Sequence, residues 1–348
     1  MFYRSILTTT SGLFRGGIAI VRNMSAKGRY QIYVTRSDMP ESGVQLLKDQ
    51  CDVNLWNQPS PVPRAELLKE VAGVNGIYCS LTDKIDTELL DAAGPSLKVV
   101  ATISVGHDHI DVAECKKRGV RIGYTPDVLT DATAELTLAL LLATSRRVPE
   151  AIHEAKTGGW VSWAPTWMTG PGLAGATVGI VGFGRIGQAV ARRVKAFNTE
   201  RIIYFNRSHR PEEKETGAVK VSFDELLTPS DFVICCAALV PETKEIFNKE
   251  AFEKMKDTAI FVNTSRGGTV DQDALIEALK THKIRAAGLD VTSPEPLPLD
   301  NPLFKLSNCV VLPHIGSATI EARNTMSELT ARNILAALHG TDMPAELK

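Results

Sequence analysis

The chain has 348 residues, of which 44% are hydrophobic and 23% are charged, and its formal net charge is −1. The length is typical of about two domains, and the composition excludes a mainly disordered, collagen-like or coiled-coil chain. Because 39 basic residues balance 40 acidic ones, no net field attracts nucleic acid or an anionic membrane surface, and we expect neither as a partner. The apolar runs are far shorter than the ~20 residues that span a bilayer.

Residues 1–29 have the composition of a targeting segment. No acidic residue precedes Asp38, whereas arginines recur from Arg4 onward among serines and threonines. This composition is typical of a mitochondrial transit peptide. The alternatives are an untargeted leader, or a second start at Met24 that yields a cytoplasmic form. We therefore expect a mitochondrial or cytoplasmic protein and leave residues 1–29 out of the fold prediction.

Strands and helices alternate along the rest of the chain, which predicts parallel α/β sheets. Residues 127–147 form one long, largely apolar helical pattern, with Thr130 or Asp131 as a candidate cap. A loop rich in Gly, Pro and Trp follows over residues 158–175. Strands are predicted before it at 30–35, 53–56, 76–80, 98–103 and 120–123, and after it at 177–181, 201–205, 232–236, 259–263, 286–289 and 309–312. Two such series indicate two domains with a ligand-binding cleft between them.

A glycine-rich turn in the second series predicts a dinucleotide site. Gly182, Gly184 and Gly187 follow the apolar strand 177–181 and precede a helical stretch at 188–197, which is the context that this fingerprint requires. The first glycine permits the tight turn, the second lets a pyrophosphate approach the backbone, and the third allows close packing of helix on strand. The helix then offers N–H donors and its positive end.

The next strand indicates which dinucleotide is bound. An acidic residue at its end would bind the ribose hydroxyls of NAD, but here the chain continues as Asn206, Arg207 and Ser208. Arg207 can pair with a 2′-phosphate and Ser208 can donate a hydrogen bond to it. The sequence therefore favours NADP(H), with NAD(H) as the weaker alternative; the other interpretation of Arg207 is a solvated loop residue.

Three further strand ends carry reactive side chains. Arg266 follows the strand 259–263 and can hold a carboxylate through its fork of donors. Glu295 lies between two prolines, and His314 follows the last strand. A histidine oriented by a carboxylate can give a proton to a carbonyl oxygen as hydride arrives at carbon. Spacing alone leaves open a structural ion pair of Arg266 with Glu295 and a core or capping role for His314.

Two other features of the sequence could suggest a metal site or a disulfide, but we predict neither. The motif at residues 107–111 contains two histidines and two aspartates, but no further ligand cluster lies near it, and we expect no metal. The six cysteines form no Cys-x-x-Cys pair, and we expect buried thiols, with Cys235 and Cys236 packing rather than forming a disulfide.

Together these segments resemble the D-isomer-specific 2-hydroxyacid dehydrogenases, and within them the glyoxylate and hydroxypyruvate reductases. The resemblance spans residues 30–348. It is carried by the glycine turn, the Arg266 segment, Asp-Val-Thr-Ser-Pro-Glu-Pro-Leu at 290–297, Pro-His-Ile-Gly-Ser-Ala-Thr at 313–319 and Ser-Val-Gly-His-Asp-His-Ile-Asp at 104–111.

The resemblance implies an α/β fold of two Rossmann-like domains with the active-site cleft between them. The flavodoxin-like substrate domain would comprise residues 30–126 and 318–348, and the NAD(P)-binding domain residues 127–317. The implied reaction is NADPH-dependent reduction of hydroxypyruvate to D-glycerate and of glyoxylate to glycolate. The alternatives are another member of the family, such as an NADH-dependent phosphoglycerate dehydrogenase, or a nucleotide-sensing, corepressor-like binding protein.

The resemblance also implies roles for single residues. His314 would be the general acid/base, Glu295 its partner, and Arg266 the residue that binds the 2-oxo acid. The backbone N–H groups of Val105 and Gly106 would hold the substrate carboxylate. Leu81 would line the substrate pocket, and Trp163 would enter the partner subunit's active site in a homodimer. The cofactor would contact Gly182, Gly184, Arg185, Ile186, Gly187, Arg207, Ser208, Ala238, Thr264, Asp290 and Gly316.

Overall fold

Each of the two predicted α/β series forms its own parallel sheet in the computed structural model, which describes residues 28–348. The predicted leader at 1–29 lies almost entirely outside the described residues, so its role stays a prediction. The predicted class, two α/β units with a cleft between them, is confirmed.

The first sheet has five strands in the order β2-β1-β3-β4-β5. Its inner strands β3 and β4 are buried along their whole length, because helices cover both faces, and they therefore read as continuous apolar runs. The strands are β1 (Gln31–Val34), β2 (Asp52–Leu55), β3 (Gly76–Cys79), β4 (Val99–Thr102) and β5 (Arg121–Gly123). The helices between them are α1 (Glu41–Lys48), α2 (Arg64–Glu70), α3 (Thr87–Ala93) and α4 (Val112–Lys117).

The connection between the sheets corrects one prediction. Residues 127–147 contain one helix, as predicted, but it is shorter than predicted: α5 (Thr130–Ser145). The backbone at Arg147 is left-handed (φ 54°) and separates α5 from a further helix, α6 (Val148–Thr157). The capping prediction is wrong. Leu129 holds the N-cap position without a side-chain hydrogen bond, while Asp131 accepts a hydrogen bond from Arg193 at 2.9 Å.

The second sheet has seven strands in the order β12-β11-β10-β9-β6-β7-β8. The chain runs outward from β6 to β8 and returns at β9, so the strand order reverses between β6 and β9, where such sheets bind ligands. The strands are β6 (Thr177–Val181), β7 (Arg201–Phe205), β8 (Val219–Lys220), β9 (Phe232–Cys235), β10 (Ile260–Asn263), β11 (Ala286–Leu289) and β12 (Cys309–Val311). The helices are α7 (Arg185–Lys195), α8 (Glu213–Thr216), α9 (Phe223–Leu227), α10 (Lys249–Lys254) and α11 (Gln272–Lys280). Strand β8, which is two residues long, was not predicted.

The last helix, α12 (Ile320–Leu338), returns to the first sheet and packs on α1, β3 and β4. Tyr78 donates to the Ser327 hydroxyl at 2.9 Å, and Ser327 donates to the carbonyl of Pro40 at 2.8 Å. A Cβ atom at Gly43 would lie 2.2 Å from the carbonyl oxygen of Ser327, so the two helices approach closely because this position has no side chain. The domain boundaries at 126/127 and 317/318 stay predictions.

The six cysteines are all free thiols. Four of them are buried as predicted, whereas Cys236 and Cys309 are partly exposed, so the prediction of buried thiols is wrong for these two. Cys235 and Cys236 form no disulfide, in agreement with the sequence analysis.

Candidate active site

The carboxyl ends of both sheets open into one cleft of about 370 Å³. Leu81 and Val105 reach it from loops that follow β3 and β4 of the first sheet. Arg266, Asp290 and His314 reach it from loops that follow β10, β11 and β12 of the second. Residues separated by more than two hundred positions in the chain thus meet because parallel strands end at a common edge.

His314 and Glu295 form a close pair in this region. The His314 Nδ1 atom lies 2.8 Å from a carboxylate oxygen of Glu295, and the other oxygen accepts the backbone N–H of Thr292 at 3.0 Å. Burial alone would raise the pKa of Glu295, but the hydrogen bond and positive charge of His314 outweigh it and hold this pKa below its ordinary value. The carboxylate is therefore ionised and fixes the imidazole ring from one side.

Asp290 shapes the turn that carries His314. Its two carboxylate oxygens accept the backbone N–H groups of Ile315 and Gly316, each at 2.8 Å. The N–H of His314 donates to the Asp290 carbonyl at 2.9 Å. These three bonds hold His314 at φ 55°, a left-handed conformation that few residues other than glycine adopt. Burial raises the pKa of Asp290, although the two N–H groups and the nearby His314 oppose the shift.

Arg266 spans the cleft toward the first sheet. Its Nε donates to Asp108 at 3.0 Å and one terminal nitrogen donates to the carbonyl of Ser265 at 2.9 Å. A Cβ atom at Gly106 would lie 1.8 Å from the other terminal nitrogen, so the guanidinium lies against the backbone of the loop at 105–108. Burial of Asp108 is outweighed by the positive charge of Arg266, which lowers the pKa of this carboxyl group. The remaining N–H groups of Arg266 stay available to an anion.

The His-Asp-His-Ile-Asp motif at 107–111 supports the loop rather than a metal. His109 is largely buried, its Nε2 lies 3.1 Å from the Thr102 hydroxyl, and burial lowers its pKa to about 4. Asp108 pairs with Arg266, and Asp111 caps α4 by accepting the N–H of Glu114. Within residues 28–348, no group of three or more His, Cys, Asp or Glu side chains is arranged to hold a metal ion.

The glycine turn fits the pyrophosphate of a dinucleotide. Gly182 has φ 89°, and a Cβ atom there would lie 2.5 Å from the backbone nitrogen of Ala237. At Gly187 a Cβ would lie 2.2 Å from the carbonyl oxygen of Gly182, so the helix can pack on the turn only without one. Gly184, the N-cap of α7, has no atom within 4 Å of a Cβ, and the first turn of α7 has no acidic residue. The exposed N–H groups of this turn can therefore receive phosphate.

Most of the other residues predicted to bind the cofactor line the cleft at the carboxyl ends of the strands. Ile186, Ala238, Thr264 and Gly316 line the cleft with Asp290. The Thr264 hydroxyl lies 2.8 Å from that of Thr137 in α5, which fixes the loop after β10.

Besides the three glycines of the turn, three predicted cofactor residues lie outside the cleft lining. Arg185 forms an ion pair with Asp127 at the start of α7. Arg207 and Ser208 are exposed in the loop after β7. Asn206, which stands where an acid would bind a ribose, accepts the N–H of Phe183 and donates to the carbonyl of Ser208. No carboxylate occupies this strand end, in agreement with the sequence.

The predicted interface tryptophan also lies apart from its own chain's cleft. Trp163 is 82% exposed in the loop after α6. Exposed apolar side chains accompany it on this loop and on α6: Val148, Ile152, Trp160, Val161 and Trp167.

The sequence analysis missed several residues of the cleft. They include Thr133, Asp108, Leu239, Val240 and Arg323. Asp108 lies inside a motif that the sequence had singled out, but nothing in the spacing indicated its contact with Arg266. Arg323 had no sequence signal, because only the packing of α12 brings it to the cleft.

Comparison with known proteins agrees with the geometry. The family model for the NAD-binding domain of D-isomer-specific 2-hydroxyacid dehydrogenases matches residues 138–316. A human glyoxylate reductase/hydroxypyruvate reductase is 55% identical over 320 residues, which cover 91% of this chain and 98% of the relative.

Solved structures agree as well. The TT0316 protein of Thermus thermophilus superposes with a TM-score of 0.85 at 44% identity, covering 91% of this chain and all of the other. An NADPH-dependent glyoxylate/hydroxypyruvate reductase from Sinorhizobium meliloti, solved with NADP and malonate, has a TM-score of 0.79 at 30% identity, covering 92% and 97%.

The fold and the cleft define an NAD(P)-dependent oxidoreductase that acts on a CH–OH group. The chain belongs to the D-isomer-specific 2-hydroxyacid dehydrogenases, as the resemblance in the sequence had implied. None of the helices within residues 28–348 combines the length and apolarity needed to cross a membrane.

Proposed function

We propose that this enzyme reduces hydroxypyruvate to D-glycerate and glyoxylate to glycolate with NADPH, and that His314 is its general acid/base. The observation that carries the proposal is the 2.8 Å pair of His314 and Glu295 at a cleft that Arg266 also lines. The human and Sinorhizobium relatives bear the names of glyoxylate/hydroxypyruvate reductases, which supports the choice of substrates.

The residues of the cleft divide the work of reducing a 2-oxo acid. The reaction adds a hydride to C2 and a proton to the carbonyl oxygen, and the bound reduced nicotinamide supplies the hydride. Glu295 occupies Nδ1 of His314, which leaves Nε2 as the nitrogen that gives the proton to the oxygen. Arg266 stabilises negative charge on that oxygen, and the N–H groups of Val105 and Gly106 hold the carboxylate. In the oxidative direction His314 takes the proton back.

The loop after β7 supports a preference for NADPH. Arg207 and Ser208 are exposed and available to a 2′-phosphate, and Asn206 replaces the acid that would repel one. Asp290 lines the cleft, and its carboxylate oxygens have lone pairs that can accept a hydrogen bond from the amide N–H of the nicotinamide. The NADP complex of the Sinorhizobium relative is consistent with this assignment.

We also propose that two copies associate through the exposed apolar side chains of α6 and of the loop that carries Trp163. Six large apolar side chains on one continuous segment indicate an interface rather than a solvated surface. In such a dimer Trp163 would close the partner subunit's active site.

The test is a substrate and cofactor panel with purified residues 24–348. Oxidation of NADPH and NADH is followed with hydroxypyruvate, glyoxylate, pyruvate and phosphohydroxypyruvate in turn. We expect fast oxidation of NADPH with the first two. Faster turnover of phosphohydroxypyruvate with NADH would contradict the proposal and favour a phosphoglycerate dehydrogenase.

His314→Asn in the same panel should abolish turnover while leaving NADPH binding, measured by fluorescence titration, nearly unchanged. Retained turnover would remove His314 from the mechanism.

A further inference from the structure

Arg323 is a cation of the cleft that the proposed reaction leaves unused. It occupies the fourth position of α12, and its side chain lines the cleft near Asp290 and Met326. Within residues 28–348 its guanidinium makes no hydrogen bond and no ion pair; the carboxylate of Asp290 is the one charge that acts on it appreciably. Both oxygens of that carboxylate already accept the N–H groups of Ile315 and Gly316.

The position is unfavourable for an arginine in three respects. Burial lowers the pKa of Arg323, which means that the charged form is poorly solvated there, although Asp290 opposes the shift. A cation in the first turn of a helix also meets the positive end of the helix dipole. Finally, none of the five N–H donors has a partner among the described residues. An arginine occupies such an unfavourable position mainly at functional sites, where a ligand can supply the missing partner.

The surroundings indicate which part of a ligand lies near Arg323. Asp290 is a charged neighbour of both His314 and Arg323, so both side chains lie near the same carboxylate. In the proposed reaction His314 and Arg266 act on the oxygen at C2, and the loop at 105–106 holds the carboxylate at C1. The remaining substituent of C2 is the C3 group, which has no partner in that assignment.

We infer that Arg323 binds a polar or anionic substituent on C3 of the 2-oxo acid and is therefore a specificity-determining residue of this cleft. The inference rests on the proposed function and assigns its substrate class. A 3-hydroxyl group, as in hydroxypyruvate, or a 3-carboxylate can accept from the guanidinium. The methyl group of pyruvate cannot, and glyoxylate has no C3 at all.

Glyoxylate therefore serves as an internal control for the test. Arg323→Gln keeps a polar side chain but removes the charge and the fork of donors, and Arg323→Lys keeps the charge alone. The matched control is Arg332→Gln on the same helix, because Arg332 is 61% exposed and pairs with Glu328 outside the cleft. For each variant, kcat and KM are measured with hydroxypyruvate, pyruvate and glyoxylate, together with the KM for NADPH and the melting temperature.

We expect Arg323→Gln to lower kcat/KM for hydroxypyruvate by about tenfold to a hundredfold, the range for loss of a hydrogen bond to a charged group. Turnover of glyoxylate and the KM for NADPH should stay within about twofold of wild type. Arg323→Lys should retain part of the hydroxypyruvate activity, and Arg332→Gln should change nothing.

Other outcomes overturn the inference in distinguishable ways. Equal losses with glyoxylate and hydroxypyruvate would make Arg323 a structural residue, and a raised KM for NADPH with both substrates would make it a cofactor residue. If Arg323→Gln fails to fold, an unchanged ratio of the two substrates in Arg323→Lys would refute the inference. A wild-type enzyme that reduces neither substrate would refute the proposed function itself.

Discussion

Replacing Glu295 with glutamine tests the proposed acid/base pair most directly. The change keeps the size of the side chain but replaces one oxygen with an NH₂ group. Thr292 donates its N–H to one carboxylate oxygen at 3.0 Å, so the amide oxygen must stay at that position. The NH₂ group then faces Nδ1 of His314, 2.8 Å away. A protonated imidazole would present N–H to N–H there, so the acid form of His314 loses its partner.

The size of the effect follows from this geometry. The pair is a hydrogen bond between charged groups, and such bonds contribute about 1.5–3 kcal/mol. Both side chains are about a quarter to a third exposed, so the lower half of that range is the better guide. At about 1.36 kcal/mol for each factor of ten, kcat for reduction should fall about tenfold to fiftyfold. Binding of NADPH should not change, since Glu295 is not placed at the cofactor.

The assay follows NADPH oxidation with saturating hydroxypyruvate across pH, with Glu328→Gln on the surface of α12 as the control. The pKa of Glu295 is lowered, so its carboxylate is ionised at neutral pH, and the pair is lost only as pH falls through that lowered value. Wild type should therefore show an acidic step below pH 4.5, the ordinary value for the group, that the variant lacks. A Glu295→Gln enzyme with wild-type kcat and an unchanged acidic step would refute the assigned role.

The other predictions concern the two ligand sites and the interface. Arg207→Ala should lower kcat/KM with NADPH about tenfold to a hundredfold and leave NADH turnover within about twofold, because only NADPH carries the 2′-phosphate. Equal losses of kcat/KM with NADPH and NADH in steady-state assays would show that Arg207 does not bind the 2′-phosphate. Gly106→Ala should raise the KM for hydroxypyruvate about tenfold or more with little loss of melting temperature, because the new Cβ displaces the flexible end of Arg266 rather than backbone. Gly172→Ala, where a Cβ meets no atom within 4 Å, is the matched control, and a kinetically silent Gly106→Ala would contradict the contact. Trp163→Ala should lower turnover but leave the binding of NADPH to each subunit unchanged. If the variant is a dimer by sedimentation and its turnover is unchanged, Trp163 lies outside the partner's site.

Much of the fold followed from local patterns in the sequence. The strands at 177–181, 201–205 and 286–289 were predicted with the bounds that the structure shows, because a strand buried on both faces reads as a continuous apolar run between turn residues. The helix predicted at 127–147 is present as α5 (Thr130–Ser145), but its two ends were predicted too far out. The apolar pattern carried no sign of the left-handed residue Arg147, at which the chain turns into α6.

For the candidate site too, the sequence could indicate some features and not others. Residue type and position along the chain made Arg266, Glu295 and His314 candidates, but spacing alone left structural roles open for all three. The resemblance to the family implied their roles in the reaction. The sequence could not show that Asp290 turns the backbone of His314, since two backbone N–H groups leave no trace in residue identity.

The sequence by itself therefore determined the class of fold and the dinucleotide turn, and it supplied the candidates for the reacting side chains, since strand patterns, turns and residue types are local features of the chain. Only the tertiary structure decided which side chains from the two sheets share the cleft. Asp108 meets Arg266 across 158 positions of sequence, and Arg323 reaches Asp290 only because α12 packs back on the first sheet. Such pairings depend on how two sheets and one returning helix are placed in space, and no local pattern encodes that placement.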